Sequence, residues 1–132
     1  MDSNEPPEFF LDRSLGKRVA AGLTERGWRI HRVVDHFAND AQDIPDEEWM
    51  RYGLVRGWFP LHKDGRIRGT EAERRPLIEF NAPMFYLDNQ QLRIDEMVAR
   101  FHAAQRQIYT RTRVAGAACF AVSAHGIRRT WP

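Results

Sequence analysis

A chain of 132 residues, 42% hydrophobic and 29% charged, has the proportions of one soluble globular domain that can bury roughly two thirds of its unfolded surface. A single cysteine, Cys119, offers neither a disulfide framework nor a zinc cluster. No apolar run approaches the ~20 residues of a membrane span. The acidic first residues with Pro6-Pro7 do not read as a secretory signal, so the expected location is the cytoplasm.

Net charge is only +2, with a pI of about 9.0, but the signs are unevenly spread. Asp35, Asp40, Asp43, Asp46, Glu47 and Glu48 fall within one short stretch of the first half. Arg66, Arg68, Arg74, Arg75, Arg100, Arg106, Arg111, Arg113, Arg128 and Arg129 all fall in the second. Arginine suits bidentate recognition of phosphate better than lysine does.

In chain order, residues 1–7 read as a disordered lead-in and residues 8–132 as one domain. Phe9-Phe10-Leu11 is a short apolar run expected as a buried strand, closed by Asp12. Ser14 is suited to cap a helix whose stripe of Leu15, Val19 and Leu23 ends at Gly27. Trp28, Ile30, Val33 and Val34 predict a second strand. Strand, helix and strand at this spacing imply a βαβ unit and a parallel sheet.

Residues 35–45 form a polar loop, long for a bare connection. A helix is expected from about Pro45 to Arg56, stopped by Gly57. Trp58-Phe59-Pro60-Leu61 is the next strand. Pro60 cannot donate to a ladder, so a kink or an unpaired side is expected there. Glu71 to Ile78 reads as a short helix interrupted by Pro76, Pro83 to Leu87 as a fourth strand, and residues 90–112 as one long helix. That helix presents Leu92, Met97, Phe101, Ala104 and Ile108 on one face. A hairpin from Ala117 to Trp131 closes the chain. Trp28, Trp49, Trp58, Phe85 and Phe101 are expected to pack in the core, and Cys119 to act as a small buried hydrophobe.

The informative pattern is that Asp12, Asp46 and Asp64 stand where an apolar stretch ends or a helix begins. An open α/β sheet gathers the carboxyl ends of its parallel strands into one crevice, where ligands bind. Carboxylates brought together there repel unless a cation lies between them, and Mg²⁺, which prefers oxygen ligands, is suited to that place. Such a set fits metal-assisted phosphodiester hydrolysis, with Glu47 holding a second metal or orienting water. A simpler reading exists for each residue: Asp46-Glu47-Glu48 also suits a helix dipole, and Asp12 a turn. His36 is a further proton-transfer candidate, although a lone histidine in a polar loop is more often incidental. Lys63, Arg66 and Arg68 flank Asp64, and Arg13 adjoins Asp12. All four are candidates to hold a phosphate backbone.

The strings Phe9-Phe10-Leu11-Asp12-Arg13-Ser14-Leu15-Gly16, Asp35-His36-Phe37, Pro45-Asp46-Glu47-Glu48-Trp49 and Leu61-His62-Lys63-Asp64-Gly65-Arg66-Ile67-Arg68 resemble the PIN-like domains of VapC-type toxins. More narrowly, they resemble the compact bacterial branch of that superfamily, over roughly residues 8–130. The resemblance implies an α/β three-layer fold with a mainly parallel central sheet, flanking helices and a C-terminal hairpin. It further implies a Mg²⁺- or Mn²⁺-dependent ribonuclease acting on single-stranded RNA and, often, an antitoxin partner; the sequence itself leaves room for a homodimer. Carried over by position, Asp12, Asp46 and Asp64 match the metal-binding acids, with Glu47 and Asp35 as weaker candidates beside them. Two positions depart from the pattern. His62 stands where the family usually has a hydroxyl residue, and no equivalent of the mid-domain glutamate of larger members stands out.

Rival readings are weaker. A haloacid-dehalogenase-type phosphatase needs a second aspartate two residues after the first, where this chain has Ser14. A receiver domain wants an acidic pair, where Arg13 follows Asp12. An inactive PIN-like module that binds nucleic acid or a partner without cutting is the main alternative.

Overall fold

The computed structural model describes residues 5–63 and 71–132. It is a three-layer α/β arrangement built on one sheet of six strands in the order β2-β1-β3-β4-β5-β6. The strands are β1 (Glu8–Leu11), β2 (Arg29–Arg32), β3 (Trp58–His62), β4 (Pro83–Leu87), β5 (Ala118–Ser123) and β6 (Gly126–Trp131). All neighbouring pairs are parallel except β5 with β6, the terminal hairpin. The helices are α1 (Gly16–Glu25), α2 (Asp46–Val55), α3 (Glu71–Phe80), α4 (Ile94–Ala103) and α5 (Gln105–Thr112).

Alternation along the strands splits the interior in two, because successive side chains point to opposite faces. Phe9 and Leu11 of β1 pack with Leu61, Phe85 and Phe120 against Val19 and Leu23 of α1, Phe101 of α4 and Ile108 of α5. Phe10 lies on the other face, with Trp49 and Met50 of α2, Leu77 of α3 and Met84 of β4. The expected face of the C-terminal helical segment is present: Met97, Phe101, Ala104 and Ile108 are all buried.

Several boundaries differ from expectation for identifiable reasons. Ser14 does not cap α1. It lies in a 3-10 turn (Arg13–Leu15), Leu15 precedes the helix without a side-chain cap, and the Ser14 hydroxyl bonds elsewhere. The second strand stops at Arg32, because the chain turns into a 3-10 segment at Val33–Asp35. The helix expected over residues 90–112 begins only at Ile94, after the Arg93 cap, and is two helices, not one: Ala104 (φ −94°, ψ 6°) leaves the α-helical region, and its N–H bonds carbonyls of the preceding turn. Pro76 does not interrupt α3, which runs through it to Phe80. The proline side chain is buried beside Leu77, so its packing offsets part of the cost of the lost N–H.

Pro60 behaves as its chemistry requires. The β1–β3 ladder runs through it, with Phe10 opposite Pro60, whereas pairing to β4 covers only Leu61 and His62. The Leu61 carbonyl points to β1, accepting from Asp12 N at 3.0 Å. Residue 60 therefore turns its missing donor toward β4, where the ladder has not begun. A proline can thus occupy an interior strand.

Helix α2 sits unusually close to the sheet. A Cβ on Gly53 would meet the Phe10 ring well inside contact distance, and that ring is fully buried. Gly53→Ala is expected to destabilise the fold by about 1–3 kcal/mol through overpacking. This is so even though alanine is favoured in a helix by about 1 kcal/mol. A urea titration that showed stabilisation instead would contradict this close approach of α2 to β1.

Candidate active site

Strand β1 is followed in sequence by its neighbour on one side, β2, and then by its neighbour on the other, β3. The chain reverses direction across the sheet at β1, and the crevice at the carboxyl ends of β1 and β3 is the place where such sheets bind ligands. Asp12 is the first residue past β1 and lies in that crevice, half-buried. Its backbone N–H extends the β1–β3 ladder by one bond, which holds the residue rigidly at the edge.

The Asp12 carboxylate is oriented by two neighbours. Ser14 Oγ donates to Asp12 Oδ2 at 2.6 Å, and His62 Nδ1 stands 3.9 Å from the same oxygen. Asp12 Oδ1 has no hydrogen bond among the described residues. His62 ends β3 and is 2% exposed. Its ring packs against the indole of Trp49 from α2, with centroids 4.8 Å apart.

Trp49 connects the two acids. Its Nε1 donates to Asp46 Oδ1 at 2.8 Å, so the first residue of α2 is tied to the same indole that covers His62. The series Asp12, His62, Trp49, Asp46 thus places two carboxylates on one face of the sheet at its carboxyl edge. Asp46 makes no side-chain capping bond. Pro45 is the cap residue, no side chain makes a capping bond, and the Asp46 carboxylate faces an indole N–H. The residue still lies in the first turn, where the helix dipole favours its charge.

Glu47, also half-buried, is one turn before Arg51. Arg51 holds Glu79 of α3 through two hydrogen bonds of 3.0 and 2.7 Å, and this bond, with added charge from Glu47, raises its pKa. Arg13 is exposed and lines a small recess of about 10 Å³ beside Asp12, together with Arg32 at the end of β2. Lys63 follows β3 and is half-buried. Asp64, Arg66 and Arg68 lie outside the described residues. Asp35 is exposed and pairs with Arg32 at 3.6 Å. His36 is engaged by the Tyr52 hydroxyl at 3.1 Å, and partial burial, with the nearby His31, lowers its pKa from the ordinary 6.5.

Two residues at this edge were not singled out from sequence. Asp88 follows β4, and its carboxylate accepts from Arg100 Nη1 at 3.1 Å. It stands two residues beyond Tyr86, which pairs with His62. The signal existed: Asp88 closes the apolar run Pro83–Leu87 just as Asp12 closes Phe9–Leu11. Arg32 was hidden because the strand was expected to continue through Val34, which would have placed it mid-strand.

As a donor set, these are hard oxygens, the kind a divalent cation of the Mg²⁺ class prefers. Asp12 and Asp46 each keep an oxygen without a hydrogen bond among the described residues. Among the described residues no group of three or more acidic, histidine or cysteine side chains is placed to hold a metal ion. Asp12 and Asp46 are therefore a compatible partial set, with Asp64 beyond the described residues. No described helix is long and apolar enough to cross a membrane.

A mainly parallel six-stranded sheet with Asp12 at its switch point and an antiparallel terminal hairpin defines an open α/β architecture flanked by helices. The family comparison agrees: residues 7–89 match the family described as PIN like domain, and the chain belongs to it. It is also 30% identical over 110 residues to the protein named "Putative ribonuclease VapC45" from Mycobacterium tuberculosis (strain ATCC 25618 / H37Rv). That alignment covers 82% of this chain and 80% of that protein. No solved structure matches the chain significantly.

Proposed function

We propose that this chain is a Mg²⁺- or Mn²⁺-dependent endoribonuclease that hydrolyses single-stranded RNA in the cytoplasm, as the toxin of a toxin–antitoxin pair. The observation that carries the reading is the oriented Asp12 carboxylate at the sheet's switch point, linked through His62 and Trp49 to Asp46. Family membership and the name of the relative support the reaction class.

In this reading Asp12, Asp46 and Asp64 hold the metal, and Glu47 orients the attacking water. When bound, a divalent cation lowers the pKa of a bound water and offsets the charge that develops on the phosphate. Ser14 keeps Asp12 in its rotamer, and Trp49 does the same for Asp46. Arg13, Lys63, Arg66 and Arg68 hold the RNA backbone by its phosphates, contacts that position the strand without reading its sequence. Asp88 is added to the acids on the strength of its place at the end of β4.

The test is cleavage of a generic single-stranded RNA with Mg²⁺ or Mn²⁺, with and without EDTA. Turnover that is lost on chelation and restored by added metal is expected. Turnover that persists in EDTA would rule the metal reading out. RNA binding with no turnover in either condition would instead fit a PIN-like module that binds without cutting.

A further inference from the structure

Beyond Asp88 the carboxyl edge opens into a groove of about 480 Å³, lined by Asp88, Asn89, Gln90, Arg100, Ser123 and His125. It is formed by the loop after β4 and the turn between β5 and β6. Strand β4 stands two strands from β1 in the sheet. At ~4.8 Å per strand the groove begins about 10 Å from Asp12, on the same edge.

The lining is unlike the rest of that edge. Apart from the paired Asp88 and Arg100 and the methyl group of Ala124, it consists of neutral hydrogen-bonding side chains and an imidazole. Ser123 is committed to the turn, accepting from His125 N at 3.1 Å and donating to the Gly126 carbonyl at 3.2 Å. These bonds set the backbone of His125, whose exposed ring makes no hydrogen bond or ring contact among the described residues. Asn89 is held similarly. Its Oδ1 accepts from Gln91 N at 2.8 Å, leaving the Nδ2 donors without a partner among the described residues. Arg100 Nη1 donates to Asp88 Oδ1 at 3.1 Å, which fixes the guanidinium in the groove wall.

A flat ring on a fixed turn and an oriented amide, in a groove that also presents the Arg100 guanidinium, are parts that can recognise an unstacked base. Single-stranded RNA is read by stacking on aromatic or histidine rings and by hydrogen bonds to base edges. We infer that this groove holds the base of a nucleotide flanking the scissile phosphate, with His125 stacking on it and Asn89 donating to its edge. The inference rests on the ribonuclease reading and makes these residues determinants of which sequences are cut.

The test separates the two claims. Binding of a short mixed-sequence single-stranded RNA is measured by fluorescence anisotropy in Asp12→Asn, so that turnover does not intrude, and again with Asn89→Ala and His125→Ala added. About tenfold weaker binding is expected, the size of one lost stacked base. The loss should vanish on an abasic strand of the same length. His125→Ala alone, in an exposed turn whose own bonds are from the backbone, should show most of the effect without loss of folding. In the otherwise native chain, the same two substitutions should flatten the distribution of cleavage positions on a random-sequence RNA.

Equal affinity with and without the substitutions overturns the inference while leaving the ribonuclease reading in place. So does a loss that persists on the abasic strand, which would make the groove a backbone contact only. Base-dependent loss of binding in a chain that never cleaves RNA would overturn the ribonuclease reading and keep the groove. No RNA binding by any form would overturn both.

Discussion

Asp12→Asn is expected to lower metal-dependent RNA cleavage by at least about a hundredfold, because a residue that holds the cation contributes several kcal/mol of charge stabilisation. The substitution is nearly isosteric. An asparagine carbonyl still accepts the Ser14 hydroxyl, and the backbone N–H still extends the ladder to Leu61, so the local structure has every reason to persist. Removing one of several repelling carboxylates should leave the thermal midpoint unchanged or raised. Cleavage rate and circular-dichroism melting, measured on one preparation, check both halves. An active variant would sink the assignment of Asp12. An inactive variant with a much lowered melting point would mean only that the fold needs the carboxylate.

Phe10→Ala should be the most destabilising single change near the site, costing about 3–5 kcal/mol. That is a large share of a typical folding free energy of about 5–15 kcal/mol. Phe10 is completely buried. Its ring lies 5.7 Å from Trp49, 5.9 Å from Tyr52, 5.2 Å from Trp58 and 5.5 Å from His36. Helix α2 approaches through Gly53 on the same ring, so little can move in to fill the space. Since Trp49 also holds Asp46, loosening this cluster should weaken cleavage before the chain unfolds. The check is urea denaturation with a parallel activity titration. A cost below about 1 kcal/mol would show that the α2 side of the sheet repacks freely.

The same cluster explains which sequence expectations could succeed. Helix α2 was readable from Pro45 to Gly57 because its signals are local: acids in the first turn, a stop where Gly57 adopts φ +82°. The break at Ala104 was not, because Met97, Phe101, Ala104 and Ile108 keep one face across it. Periodicity reports the buried face of a segment and not whether its axis bends. Ser14 carried the composition of a cap, and only the proximity of a carboxylate two residues back shows that its hydroxyl goes to Asp12 instead.

What this chain's residues determine alone is the order and type of most elements, the parallel sheet and the placing of acids after apolar runs. Those features depend on side-chain period and on residues adjacent in sequence. Folding decides which acids meet. Asp12 and Asp46 are 34 positions apart in the chain, and they share a face of the sheet through Trp49 and His62, neither of which is an acid. His62, a departure from the family's pattern in sequence, is in the fold the buried ring between them. No local signal could assign it that place, because its neighbours come from β1 and α2 and are brought to it only when the sheet and its covering helix pack.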